Sequence, residues 1–134
     1  MRHLIYSVLA LVVLGCGPGS STPGEPAPVL GVWNGRHVTL TLTSSAGSVE
    51  YDCAHGGLSS ALEVDRAGMF KVNGVHVREH GGPIRIDEVP DSLPARYEGL
   101  VRGDQMTLRV IVAQDTLGPF TLRRNGQPQL VKCL

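Results

Sequence analysis

Past residue 28 the chain never sustains the i, i+3, i+4, i+7 apolar recurrence of a helix; short stretches of alternating apolar and polar residues return instead about every 10 to 14 positions. A chain patterned this way makes strands. The clearest is Val38-Thr39-Leu40-Thr41-Leu42-Thr43, where strict alternation sends one set of side chains into a core and the other into water. Val49, Tyr51 and Cys53 continue the rhythm, followed by Leu58, Ser60, Leu62 and Val64, then by Phe70 and Val72. Val75 and Val77 have the opposite parity, which predicts a bulge or bend at Asn73-Gly74. Tyr97, Gly99 and Val101, then Met106, Leu108, Val110 and Val112, then Phe120 and Leu122, and finally Leu130-Val131 with Cys133 complete about eight strands. Short turns at 44–47, 65–68 and 102–105 hold the Gly or Asp that hairpins need, so neighbouring strands pair in sequence order. The expected fold is all-β: an eight-stranded antiparallel up-and-down meander closing into a small barrel, or a flattened version of one. Closure also removes exposed edges from strands rich in Val, Thr and Leu. Residues 81–94 interrupt the rhythm. Their three prolines predict no central strand, while Ile84, Ile86, Val89 and Leu93 give the segment something to pack. It reads first as a plug completing a thin core at one barrel end, and second as a lid.

The first residues set an address. After the positive start Met1-Arg2-His3, residues 4–14 are apolar except for Ser7, and Gly15-Cys16 follows. That run is too short for a bilayer span of about 20 residues and fits a secretory signal. Val13-Leu14-Gly15-Cys16 resembles the lipobox of bacterial lipoproteins, in which the cysteine is lipidated and becomes the first mature residue. Ordinary cleavage near Gly15 or Gly17 is the alternative, and it would leave Cys16 a spare thiol. The resemblance implies a signal helix in residues 1–15, removed on export. It also implies a diacylglyceryl group and a further acyl chain on Cys16, more than the single chain that anchors only marginally. Gly17 stands where an Asp would favour inner-membrane retention in Gram-negative systems, so the resemblance implies the outer membrane over the inner. The Pro-, Gly- and Ser-rich stretch that follows reads as a flexible, disordered linker with roughly 20 Å of mean reach. The expected organisation is a signal peptide at 1–15, lipidated cysteine and linker at 16–28, and one barrel domain at 29–134.

Twelve Lys and Arg balance twelve Asp and Glu, which argues against nucleic acid as a partner. The chain is 42% apolar overall, and without the first 15 residues only about 38%, a lean core. An exported even pair of cysteines, Cys53 and Cys133, is expected to supply a disulfide. Cys133 in the last strand and Cys53 in the second would be brought near each other by barrel closure. A catalytic Cys53 with His55 would need a reduced thiolate in an oxidising compartment and leaves Cys133 unexplained.

His37, His55, His76 and His80 raise the question of a zinc or copper site. On a helix His76 and His80 would face one metal; on a strand they lie about 13 Å apart, too far for two bonds of roughly 2.1 Å. A cross-strand set such as His55, His80 and Glu79 is the remaining arrangement. In the competing reading, these His and acidic groups bond tight Gly turns at strand ends. No phosphate-cradling Gly loop and no Gly-x-Ser-x-Gly elbow occurs, and Asp87-Glu88 reads as solvated. The sequence therefore points to no enzyme and calls for no cofactor.

Gly31-Val32-Trp33-Asn34-Gly35 resembles the Gly-x-Trp opening of calycin-type barrels, the lipocalins and their relatives, which implies that Trp33 plugs one barrel end. Tyr51-Asp52-Cys53-Ala54-His55-Gly56, Arg78-Glu79-His80-Gly81-Gly82-Pro83, Pro94-Ala95-Arg96-Tyr97 and the Lys132-Cys133 ending resemble a group of bacterial lipoproteins that carries no assigned activity. The expected function is a membrane-anchored envelope lipoprotein, a non-enzymatic binding or structural module, with a protein or a small apolar ligand as its partner. A His-based metal-binding envelope protein and a ligand carrier or lysozyme-inhibitor-like protein are the alternatives.

Overall fold

The computed structural model describes residues 25–134, so the expected signal helix, Cys16 and most of the expected linker lie outside the described residues. Ten strands follow in order: β1 (Ala27–Pro28), β2 (Gly31–Gly35), β3 (Val38–Leu42), β4 (Gly47–Tyr51), β5 (Ala54–Leu58), β6 (Glu63–Val64), β7 (Met69–Arg78), β8 (Asp91–Arg102), β9 (Gln105–Val112) and β10 (Asp115–Arg124). Among the described residues there is no helix. β1 and β6 pair only with each other; the other eight strands form a closed antiparallel barrel in sequence order, with β10 returning to β2. The alternation seen in the sequence becomes the inside and outside of this barrel. Trp33, Leu40, Val49, Tyr97, Leu108 and Leu122 have zero exposure in its interior.

The three short turns form where Gly and Asp stand. In the second, the Asp65 carboxylate accepts hydrogen bonds from the Ala67 and Met69 amides, both at 2.9 Å, and Gly68 takes a left-handed φ of 81°.

The strand count of eight is right, but two of its members differ from those expected. Residues 58–64 do not form a barrel strand: Leu58 ends β5, Leu62 is buried in a connecting segment, and only Glu63–Val64 pairs, outside the barrel. Residues 130–133 are not a strand either, and belong to an extended tail. Conversely Gly31–Gly35 is a strand in its own right, and so is the glycine-bearing Ala54–Leu58. Glycine there serves close approach, not turning. A Cβ on Gly56 would lie 2.3 Å from the Tyr97 hydroxyl, and one on Gly74 would lie 2.9 Å from the Tyr97 ring and 2.0 Å from the Gly57 carbonyl. Tyr97 fills the space these glycines leave and donates its hydroxyl to the Val75 carbonyl at 2.7 Å.

The same packing removes the expected bulge. β7 pairs residue for residue with β8 from Met69–Leu100 to Arg78–Asp91, so Phe70, Val72, Gly74 and His76 share the inner face and Val75 is exposed. Pro94, expected in a loop, lies inside β8. It faces Val75 of β7, while pairing with β9 begins only at Ala95, so the missing N–H sits where β8 is paired on one side. The plug reading of 81–94 is also overturned. Ile84, Ile86 and Val89 are 84%, 110% and 86% exposed, and only Leu93 packs against the core.

Strand directions divide the loops between two ends. The chain enters at the near end, with the turns 43–46 and 103–104 and the segment 59–68; the Val29 amide donates to the Leu62 carbonyl there at 2.9 Å. The far end holds the turns 36–37, 52–53 and 113–114 and the loop 79–90. The tail, residues 125–134, leaves β10 and runs back across the far end: the His37 amide donates to the Gln129 carbonyl, and the Cys133 amide to the Asp52 carbonyl. The expected Cys53–Cys133 disulfide is present, with Cα atoms 5.2 Å apart, for a reason other than the one anticipated. Neither cysteine is in a strand. Cys53 is in the β4–β5 turn and the tail carries Cys133 to it.

Candidate functional site: the far end of the barrel

All four histidines of the described residues lie at the far end, and each has a different environment. His37 occupies a left-handed position in the β2–β3 turn, φ 67°, where its Nδ1 bonds the Asp52 carboxylate at 2.5 Å. Asp52 also accepts from the Val131 amide at 2.9 Å, and that bond first, the His37 contact second, holds its carboxyl below the ordinary range. His55 points outward from β5 and its Nδ1 bonds Glu79 at 2.7 Å. The Lys132 ammonium of the tail bridges Glu50 at 2.9 Å and Glu79 at 3.2 Å. The His55 bond, supported by Lys132, lowers the Glu79 carboxyl.

His80 bonds the Gly81 carbonyl through Nδ1 and Glu88 through Nε2. The carbonyl first and the carboxylate second raise its pKa, while His80 lowers that of Glu88. The other Glu88 oxygen accepts from the Arg85 amide at 3.2 Å, and the Glu88 amide donates to the Arg85 carbonyl at 3.1 Å. Glu88 thus closes the turn that carries Ile86 at its tip.

His76 differs from the other three. It points into the barrel, 6% exposed, edge-on to Tyr51 at 5.1 Å between ring centroids, and among the described residues its Nδ1 has no hydrogen-bond partner. Burial, then the nearby Arg78 charge, lowers the His76 pKa; burial also pushes the Tyr51 phenol far up. The unfolded chain therefore binds a proton more readily than the folded one below the ordinary histidine value of about 6.5. Stability contributed by neutral His76 is complete above that value and falls as pH drops toward the depressed folded value, by at most about 1.4 kcal/mol per pH unit. His80, with its raised value, acts in the opposite sense, so the variant His76→Leu isolates the effect. Its melting temperature is expected to fall less between pH 6.5 and 5 than that of the unsubstituted protein. Parallel pH profiles from differential scanning calorimetry would contradict the assignment.

The metal candidates are thereby placed. His55 is on the outer wall, His76 is inside, and His80 is in the loop on Glu88, so these three do not converge. Of the cross-strand set, His55 and Glu79 do meet, with Lys132 on the carboxylate. Among the described residues no group of three or more His, Cys, Asp or Glu is placed to hold a metal ion.

Trp33 packs in the interior under the Arg124 guanidinium, 4.4 Å from the ring centroid, and donates Nε1–H to the Leu30 carbonyl at 3.3 Å. Sequence reading missed Asn34, whose amide donates to Gly126 at 2.8 Å and accepts from Thr39, tying the tail to β2 and β3. It also missed the inward aim of His76, which continuation of the Phe70, Val72 parity through Gly74 would have indicated. No family model matches this chain, and no curated protein and no solved structure matches it.

Proposed function

We propose that this chain is an envelope lipoprotein, tethered through Cys16 to the bacterial outer membrane, whose barrel is a non-enzymatic binding module working from its far end. The carrying observation is the placement of the loop 79–90. Its Ile84, Ile86 and Val89 stand in solvent at the end opposite to the one where the chain enters. A tether at the entry end leaves that loop facing away from the anchoring membrane. Exposed aliphatic side chains grouped on one loop favour an interaction site over isolated surface residues. The filled interior, with Trp33, Leu40 and Tyr97 at zero exposure, favours a surface binder over a carrier.

Three measurements test the reading. Intact mass of the protein from its own host is expected to show a mature N-terminal Cys16 carrying acyl chains, and Cys16→Ala to leave the membrane fraction; an unmodified Cys16 refutes the anchor. The triple variant Ile84→Ser, Ile86→Ser, Val89→Ser is expected to keep its urea midpoint, each change altering stability by no more than about 0.5 kcal/mol. A large loss would mean that these side chains support the fold, not a partner.

A further inference from the structure

We propose that the far end docks a cationic protein surface, the loop 79–90 inserting its aliphatic side chains into an apolar patch while the surrounding carboxylates meet basic groups. The proposal rests on the binding-module reading above and adds the chemistry of the partner.

The first support is charge. The far end carries the carboxylates Glu50, Asp52, Glu79, Asp87, Glu88, Asp91 and Asp115 against the fixed cations Arg36, Arg78, Arg85 and Lys132, a surplus of three negative charges with histidine neutral. At the near end Arg66, Arg102, Arg123 and Arg124 balance Glu25, Glu63, Asp65 and Asp104, so no acidic surplus exists there. A net negative rim repels anionic headgroups and phosphate backbones, and complements a basic protein surface.

The second support is shape. The loop is held before it meets anything: Glu88 ties its own turn to Arg85, and His80 ties Glu88 to Gly81. Ile86 is thus presented at the tip of a hydrogen-bonded turn, and docking it loses little conformational entropy.

The charges on both sides of such a contact are exposed, so salt screens them and affinity for a cationic partner falls as salt rises.

The test uses the purified full chain and a fluorescent peptide of alternating Lys and Leu, with Glu–Leu and Lys–Ser peptides as controls, read by anisotropy. The Lys–Leu peptide is expected to bind about tenfold more tightly than either control near pH 7.5, and several-fold more weakly in about 0.5 M salt. The triple Ser variant at Ile84, Ile86 and Val89 is expected to lose about tenfold, and Met69→Ser at the near end to lose nothing. Equal binding of the Glu–Leu peptide, equal binding of the Lys–Ser peptide, or an unaffected triple variant overturns the proposal. In parallel, a photocross-linking amino acid is placed at Ile86, or at Met69 as control, in the host. A protein adduct specific to position 86 with a basic contact face is the expected result. An adduct there with an acidic protein refutes the partner chemistry and leaves the binding module standing; no adduct beyond the Met69 control refutes both.

Discussion

Replacing Trp33 with Ala is expected to lower the unfolding free energy by about 3–5 kcal/mol, the range for removing a large buried aromatic. Trp33 is the chain's single tryptophan, has zero exposure, and sits on β2, the strand that closes the barrel. That closure is narrow. β10 meets β2 through three residue pairs, Leu122–Gly35, Arg123–Asn34 and Arg124–Trp33, whereas it meets β9 through seven. Losing the indole removes buried apolar area beside this seam and also the surface over which the Arg124 guanidinium lies. Arg124 is itself bonded to the Leu30 carbonyl at 2.7 Å and paired with Asp104 at 3.2 Å. Because the change removes the intrinsic fluorophore, urea unfolding is best followed by far-ultraviolet circular dichroism. Trp33→Phe keeps an aromatic ring in the site and is expected to lose clearly less. A Trp33→Ala loss below about 1 kcal/mol would mean that the closed end is not packed around this ring.

Breaking the Cys53–Cys133 bond comes next in size. The two residues are separated by 80 positions, for which the chain-entropy account gives a stabilisation of about 4 kcal/mol. Domains of this kind have about 5–15 kcal/mol in total. The figure is an upper value for this molecule, because Cys133 is on an exposed tail that can fray in the reduced native state, relieving part of the loss. What remains to hold the tail is local: the Val131 and Cys133 amides on Asp52, Lys132 between Glu50 and Glu79, and Gln129 on the His37 amide. The barrel strands themselves contain neither cysteine. The expected outcome of Cys133→Ser, or of reduction, is therefore a folded barrel that melts more than about 10 °C lower, with hydrogen exchange rising first in the last residues of the chain. An unchanged melting temperature, or peptide mapping that finds free thiols in exported protein, would contradict it. Asp52→Asn, which keeps the shape but weakens the carboxylate's bonds to His37 and Val131, is expected to loosen the tail without opening the disulfide.

Much of the far end was hidden from sequence reading for one physical reason: glycine does two unrelated jobs. In Asp65-Arg66-Ala67-Gly68 it turns the chain, and there local chemistry is sufficient, since Asp65 and a left-handed Gly68 make the turn without outside help. At Gly56 and Gly74 it makes room for Tyr97, a residue 41 positions past Gly56, and nothing local announces that. Misreading those glycines as strand ends and a bulge moved His76 to the wrong face. It also concealed the pairing of Gly56 with His76 inside the barrel wall.

Alternation with period two, with turn residues at 44–47, 65–68 and 102–105, was sufficient to determine an antiparallel meander of eight strands, because each pairing is between sequence neighbours and each inward face needs burial, while full closure over a flattened barrel is decided by the pairing of β10 with β2. Tertiary contacts alone decided which segments joined it. The tail, expected to be the last strand, became a strap across the far end because Asn34 of β2 and Asp52 and Cys53 of the β4–β5 turn hold it there, outside the sheet. The loop 79–90 kept its aliphatic side chains in water because Trp33, Tyr97 and their neighbours already fill the interior that a plug would have needed.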